Sequence, residues 1–280
     1  MKLKEYPYAL YRSRQLLRLK AETLRSRPPE PVPVIVSLTS IPSRLNVVHI
    51  TVRSLMSQTC LPEKIVLWLH HDLKNNVPPE LSCLTGDLFE IRYVDLTCSH
   101  RKLVHSLEAF PGKVVVTADD DLMYESNWLA HLYESHRRSP HDIIGNTCRK
   151  ISRDEHGVLL PYREWSHERR RGVTAEYLLA IGSDGVLYPP ECLSSEATDS
   201  SLFLSLAPRA DDLWFKAMSL RKGTQVRTSY HKEDKPVWPI IASQKIALKK
   251  QNVREDANRT QWLALSEHFG FEHVGVLRGV

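Results

Sequence analysis

The run Val114-Val115-Val116-Thr117-Ala118, closed by Asp119, Asp120 and Asp121, constrains this chain more than any other feature. Apolar, β-prone residues without polar alternation read as a strand buried on both faces, and such strands belong to parallel sheets covered by helices. In open α/β sheets, ligands bind at the carboxyl ends of the strands. Three carboxylates at such a place are costly unless something cationic neutralises them. The usual candidate is a hard divalent ion, which takes oxygen ligands and shares its coordination with substrate phosphates. The junction therefore predicts a metal- and diphosphate-dependent enzyme.

The pattern around it predicts an α/β fold. Strands are expected at Val34–Leu38, Lys64–Leu69, Glu90–Val94 and 113–118. Helices are expected at Leu45–Ser57 and Lys102–Ala109, with a helical turn near Pro79–Cys83. Strands alternating with helices imply a mostly parallel sheet with right-handed crossovers. Further helices are expected at Trp128–Arg137, Asp211–Leu220 (stopped by Gly223) and 257–268. A short strand is expected at Gly185–Tyr188, and the polar, Arg-rich stretch 150–180 reads as a long loop.

A chain of 280 residues with 42% hydrophobic content can bury a full core. No run of about 18 apolar residues occurs, so no membrane-spanning helix is expected. The N-terminus lacks a signal-peptide core, which assigns the chain to the cytoplasm. Cys60, Cys83, Cys98, Cys148 and Cys192 share no C-x-x-C spacing and read as reduced, mostly buried thiols. The net charge of +5 belongs to residues 1–30, which hold eight basic residues against three acidic ones. Within them, 6–25 reads as a helix with Leu10, Leu17, Ala21 and Leu24 on one side. It is followed by a stiff linker at Pro28, Pro29, Pro31 and Pro33. Such a helix either lies on an anionic membrane face or packs on its own domain with a solvated basic side.

Several groupings can carry chemistry. In extended backbone Asp119 and Asp121 point to one side and can share an ion, or an ion and a ribose hydroxyl, while Asp120 faces elsewhere. A solvated acidic turn capping a helix is the bland reading. Asp211 and Asp212 open a helix, either as favourable charges at its N-terminus or as a general base for an acceptor hydroxyl. Gly182-Ser183-Asp184-Gly185 does not fit a nucleophile elbow, and its glycines suit close approach of a ligand to the backbone. Arg44, Arg101 and Lys102 follow strand ends and can meet phosphates. His231 is the one histidine considered as a metal ligand. Phosphate-loop and dinucleotide glycine patterns are absent.

Four segments in order, Val36-Ser37-Leu38-Thr39-Ser40-Ile41-Pro42-Ser43-Arg44, Thr117–Asp121, Gly185–Pro190 and Ala210–Phe215, resemble glycosyltransferases of the GT-A fold. They look closest to bacterial relatives of the large inverting family that includes cellulose and chitin synthases. The likeness covers roughly residues 33–230. It implies a basic N-terminal segment, 1–30, ahead of one GT-A domain, 31–280. Residues 31–121 would be the nucleotide-binding half and 122–280 the acceptor-binding half. It implies a nucleotide-diphosphate sugar donor, a UDP-sugar by family frequency, with Thr39 by the base and Asp119 by the ribose. Arg44, Lys102, Asp120 and Gly185 join the donor-binding set. Asp121, with Asp119 and His231, would hold Mn²⁺ or Mg²⁺. The Asp211-Asp212 pair matches the acidic pair that supplies the catalytic base, and Asp212 is favoured because it precedes the helix's Leu-Trp.

The second strand departs from the family, ending in His70-His71-Asp72 rather than an acidic-Gly-Ser turn; Asp72 is the candidate base-binding carboxylate. A Q-x-x-R-W segment is missing, which argues for addition of one sugar per encounter. Trp165 and Trp238 are candidates to stack on sugars. The expected acceptor is a glycan or glycolipid of the bacterial surface, met at the inner face of the cytoplasmic membrane. The alternatives are a retaining transferase with a structural Asp211-Asp212 pair, a metal-dependent phosphoesterase, and a basic nucleic-acid-binding module. The neutral remainder of the chain, with thirty basic and thirty acidic residues, argues against nucleic acid.

Overall fold

In the computed structural model, which describes residues 5–26, 31–231, 237–241, 243 and 256–275, the apolar runs form one central sheet. Strand β1 covers Val32–Thr39, β2 Pro62–His70, β3 Phe89–Val94 and β4 Val114–Ala118. Three-residue strands follow: β5 Leu122–Tyr124, β6 Ile143–Gly145, β7 Cys148–Lys150, β8 Leu178–Ala180, β9 Val186–Tyr188, β10 Val226–Thr228 and β11 Val237–Pro239. Seven of them make the main sheet in the order β10-β6-β9-β4-β1-β2-β3, parallel throughout except for β9. This is a Rossmann-like, mostly parallel α/β sheet flanked by helices. The antiparallel pairs β5–β11 and β7–β8 lie outside it.

The helices are α1 Tyr6–Arg18, α2 Ala21–Arg25, α3 Val48–Met56, α4 Pro79–Ser82, α5 Arg101–Ala109, α6 Trp128–Arg138, α7 Ser200–Leu206 and α8 Asp211–Lys222, then a closing helix Ala257–Phe269. Helices cover both faces of the sheet, as an all-apolar strand requires. Along β4, Val116 and Ala118 enter one core with Leu38, Val52, Leu67 and Trp128. Val115 enters the other, with Leu103, Phe203 and Trp214.

Order along the sheet decides where a ligand can sit. The connection from β1 goes to β2 on one side, and β4 returns on the other, so the strand order reverses between β1 and β4. At such a switch point a crevice opens beyond the carboxyl ends of the strands. Helix α5 is pinned against this place from below. Ser37 on β1 donates to the carbonyl of Lys102, and Ser106 donates to Ser37 at 2.7 Å. Trp68 of β2 donates to Ser106 at 2.8 Å. These bonds fix the first turn of α5, and hence Lys102, over the end of β1.

The N-terminal segment departs from expectation. The helix expected over 6–25 is broken at Leu19 and Lys20, both extended. Arg53 of α3 captures the carbonyls of Leu16 (3.4 Å) and Leu19 (2.6 Å), which ends α1 by occupying the acceptors a further turn would use. Pro28 and Pro29 lie outside the described residues. Pro33 lies within β1, at the register shift between Val32 and Ile35, where a missing N–H is tolerated. The stretch 150–180 is largely loop, as expected, but ends in β8, which pairs with β7. Of the five free cysteines, Cys148 and Cys192 are buried, Cys60 and Cys98 half-buried and Cys83 exposed, so the expectation of mostly buried thiols holds for two.

Candidate functional site

A cavity of about 390 Å³ occupies the crevice and is lined by the ends of β1 and β4, the first turn of α5, Gly182-Ser183 and the head of α8. Thr39, Arg44, Arg101, Lys102, Asp119, Asp120, Asp211 and Asp212, scattered over 174 residues of chain, all line it. A larger, more open hollow of about 570 Å³ lies beside β3, lined by Lys74, Phe89, Glu90 and Tyr93 among others, and gathers no acid cluster.

The three aspartates after β4 have different environments. Asp120 is saturated: Ser40 donates to Oδ2 at 2.5 Å and Arg44 to Oδ1 at 2.6 Å. Asp121 receives the other arm of Arg44 at 3.1 Å. Burial, and next the neighbouring Asp119, push its pKa up to about 6. Asp119 receives Lys102 Nζ at 2.8 Å. Its backbone N–H donates to the hydroxyl of Tyr124 at 2.7 Å, and that hydroxyl donates to the carbonyl of Ser183 at 3.2 Å. Tyr124 thus ties the end of β4 to the Gly182 loop.

The head of α8 shares the same lysine. Lys102 Nζ lies 3.1 Å from Asp211 Oδ2, and Ser99 donates to Asp211 Oδ1 at 2.8 Å. Burial opposes the charge of Asp211, but Lys102 overrides it, and the pKa is lowered. Asp212 has no such partner of its own. The Gly182 N–H lies 3.1 Å from each of its oxygens. Burial, and then Asp211, raise its pKa to about 8 despite Lys102. A helix N-terminus favours negative charge; here desolvation and a like charge outweigh it. Lys102, with only 6% of its side chain exposed, is held charged by Asp119 and Asp211.

Counting charge explains these shifts. Five carboxylates, Asp119, Asp120, Asp121, Asp211 and Asp212, face three buried cations, Arg44, Arg101 and Lys102. The nearby His100 is fully buried, and burial pushes its pKa down to about 4, so it adds no charge. The five acids outnumber the three cations by two, and burial, as the largest cause, raises the pKa of Asp120 as well as those of Asp121, to about 6, and Asp212, to about 8. A divalent cation would offset that excess of acid. Among the described residues no three His, Cys, Asp or Glu side chains converge as a ligand set. Asp119 and Asp121 are the two carboxylates that could contribute oxygen ligands to such an ion, which in its hard divalent forms prefers oxygen.

Other expected residues have different jobs. Thr39 lines the cavity, but its hydroxyl donates to Trp68 O at 2.9 Å and accepts from Arg101. Arg101 also donates to the carbonyls of Ser40 and Leu96, so it braces the crevice wall. Arg44 is neutralised by Asp120 and Asp121 rather than presented to a phosphate. Asp72 is not brought to the cavity: its side chain is 87% exposed, on a short helix after β2. His231 does not join the aspartates either. It stacks on His131 with ring centroids 4.2 Å apart and lies 2.8 Å from Glu134. Gly185 is not among the residues that line the cavity; its φ of +98° and the Trp128 indole, 2.5 Å from where a Cβ would stand, account for the glycine. Trp165 is buried and donates to Leu160 O at 2.9 Å, and Trp238 stacks on Tyr8 at 4.2 Å.

Residues not singled out in advance complete the site. A Cβ on Gly182 would stand 2.7 Å from Asp212 Oδ1, so glycine is what lets that carboxylate reach the loop backbone. Ser40, Ser99 and Tyr124 orient the acids, and the exposed Arg209 lies at the rim. The Gly182-Ser183-Asp184-Gly185 cluster, marked by its two glycines, contains the one whose N–H meets Asp212.

No family model matches the chain, and no curated protein matches it. Among solved structures, 4-diphosphocytidyl-2C-methyl-D-erythritol synthase from Anaerococcus prevotii is similar at 13% identity and a TM-score of 0.48, over 81% of this chain and 96% of that one. The chemistry of the cavity therefore rests on its own residues.

Proposed function

We propose that this chain is a glycosyltransferase of the GT-A type. It moves a sugar from a nucleotide-diphosphate donor, a UDP-sugar, to a hydroxyl of a bacterial surface glycan or glycolipid, with inversion. The observation that carries the reading is the pairing of two acid clusters across one crevice: one short of positive charge, the other holding a carboxylate with a pKa of about 8. Two titratable groups driven apart by their surroundings are the usual mark of divided roles.

The diphosphate lies at the end of β4. Asp119 and Asp121 would hold a divalent ion there, Mn²⁺ or Mg²⁺, which would stabilise charge on the leaving diphosphate as a Lewis acid. Lys102 stands between Asp119 and Asp211 and fixes both. Arg209 at the rim offers a guanidinium suited to phosphate oxygens. Asp212 is the base. As the acceptor oxygen bonds to the anomeric carbon, the carbon–oxygen bond to the diphosphate breaks and its electron pair leaves with the diphosphate. The acceptor's proton passes to Asp212. A base with a pKa near 8 suits this transfer, because efficiency peaks when it is matched to the working pH.

The test is nucleotide release with Mn²⁺ across a panel of nucleotide sugars, for wild type, Asp121→Ala and Asp212→Asn. Slow hydrolysis of one donor, metal-dependent and lost in Asp121→Ala, is the expected result. Absence of release and of nucleotide binding in the wild type would overturn the reading. With an acceptor in hand, an axial-to-equatorial change at the anomeric carbon supports Asp212 as base, and retention removes it from that role.

A further inference from the structure

We infer that the outward face of α1 is a docking surface for an anionic lipid bilayer. The inference stands apart from the donor site and uses none of its residues. Helix α1 is fixed to the body by a narrow seam. Ala9 and Leu16 are buried in a small cluster with Ile50, Met123 and Ile240, and Tyr8 donates to Glu125 at 2.9 Å and stacks on Trp238. Arg53 holds its C-terminal carbonyls. The helix is therefore a rigid part of the molecule, one layer away from Thr51 of α3, which donates to the carbonyls of Asp120 and Leu122.

The apolar residues that the sequence aligns along α1 are not the ones in this seam. Leu10 is 43% exposed, Leu17 47%, Tyr6 42% and Tyr11 57%. At about 100° per residue, Tyr6, Leu10 and Leu17 fall within roughly 40° of arc, centred about 90° round the helix from Ala9 and Leu16. Arg14 and Arg18 lie next to them, between the leucines and Tyr11 on the helical wheel. The described N-terminal residues 5–26 hold Arg12, Arg14, Arg18, Lys20 and Arg25 against Glu5 and Glu22, while the chain beyond residue 30 is neutral.

This interleaving selects the partner. A dry protein interface disfavours unpaired charge at its centre, and here two arginines sit among the exposed apolar side chains. A bilayer surface accepts both at once: leucines reach the acyl boundary, tyrosines settle at headgroup level, and arginines meet lipid phosphates. Basic residues near an anionic leaflet add to binding individually, and for Arg14 and Arg18 together the expected preference over a neutral bilayer is about thirtyfold.

The measurement is co-sedimentation of the full chain with vesicles of phosphatidylcholine, alone or with a third of phosphatidylglycerol. Tight, salt-sensitive binding to the anionic vesicles is expected, about thirtyfold weaker on the neutral ones. Leu10→Glu with Leu17→Glu, and separately Arg14→Glu with Arg18→Glu, should each abolish it. Both pairs are solvent-facing, so an unchanged Tm and unchanged donor hydrolysis in solution accompany the loss. Failure of the wild type to bind anionic vesicles at low salt overturns the inference, as does binding that survives both double variants. A dimer dispersed by Leu10→Glu with Leu17→Glu, without vesicle binding, would assign the face to a second copy instead.

Discussion

The acids after β4 and the acids at the head of α8 look alike as sequence and differ as chemistry. At β4, Asp120 is spent on Ser40 and Arg44, and Asp121 shares that arginine. At α8, Asp211 is spent on Ser99 and Lys102, and Asp212 is left with a backbone N–H. Each cluster thus divides into a carboxylate that holds the scaffold and one that stays under-neutralised. The difference lies in what the under-neutralised member faces. Asp121 shares Arg44 with Asp120 and lies beside Asp119; Asp212 lies against the Gly182 backbone beside Asp211. Adjacent residues of one type acquire separate roles because desolvation and partners act over a few ångströms.

The strongest way to break this comparison is Asp212→Asn. Loss of a general base costs on the order of 10²–10⁴-fold in kcat, read as donor-dependent product formation. The same variant separates function from stability. The folded state holds a proton on Asp212 up to pH about 8, whereas an unfolded aspartate releases it near about 3.9. Stability from this group is therefore lost as pH rises through that window, and above it Asp212→Asn should melt higher than wild type. Activity runs the opposite way: kcat/KM rises with pH towards a plateau above about 8, and the rise disappears in the variant.

Lys102→Met attacks the residue the two clusters share. Removing one partner of a buried charge network costs about 3–5 kcal/mol, a fall in Tm on the order of 10 °C for a chain of this size. A melting curve checks it. Between the glycines, Gly182→Ala should depress kcat by displacing Asp212. Gly185→Ala should depress Tm by colliding with Trp128 at a positive φ. If Asp119 and Asp121 hold the ion as proposed, Asp121→Asn should raise the Mn²⁺ concentration needed for half-maximal donor hydrolysis by at least about tenfold. The smallest effects are expected from Asp72→Asn and His231→Ala, which lie outside the crevice. A change beyond about twofold in donor hydrolysis for either would move the site's boundary.

Much of the first half was legible in advance. β1 to β4, α3 and α5 appear within a few residues of expectation because long apolar runs and helical periodicity are local signals. The strands β5, β6, β7, β10 and β11 were not legible: three residues carry no period. α7 was missed for a similar reason, being seven residues with mixed exposure. In the site, Asp119, Asp120, Asp211, Asp212 and Lys102 were recognisable by type and position. Asp72 and His231 lie apart from the crevice, since a residue at a strand end can point to solvent or to another cluster, and side-chain direction is not written in spacing.

By itself the sequence determined that a parallel sheet would hold Val114–Ala118 and place three aspartates at its end, because strand period and hydrophobic burial are properties of neighbouring residues. It also confined the basic charge to the N-terminal segment. Only the tertiary structure decided that Lys102 would stand between acids 17 residues and 109 residues further along the chain. The same holds for Asp212 meeting Gly182 rather than a cation, and for Leu10 and Leu17 facing outward while Ala9 and Leu16 form the seam. Those outcomes depend on distance, desolvation and the direction of a side chain, and all three are set when the elements pack.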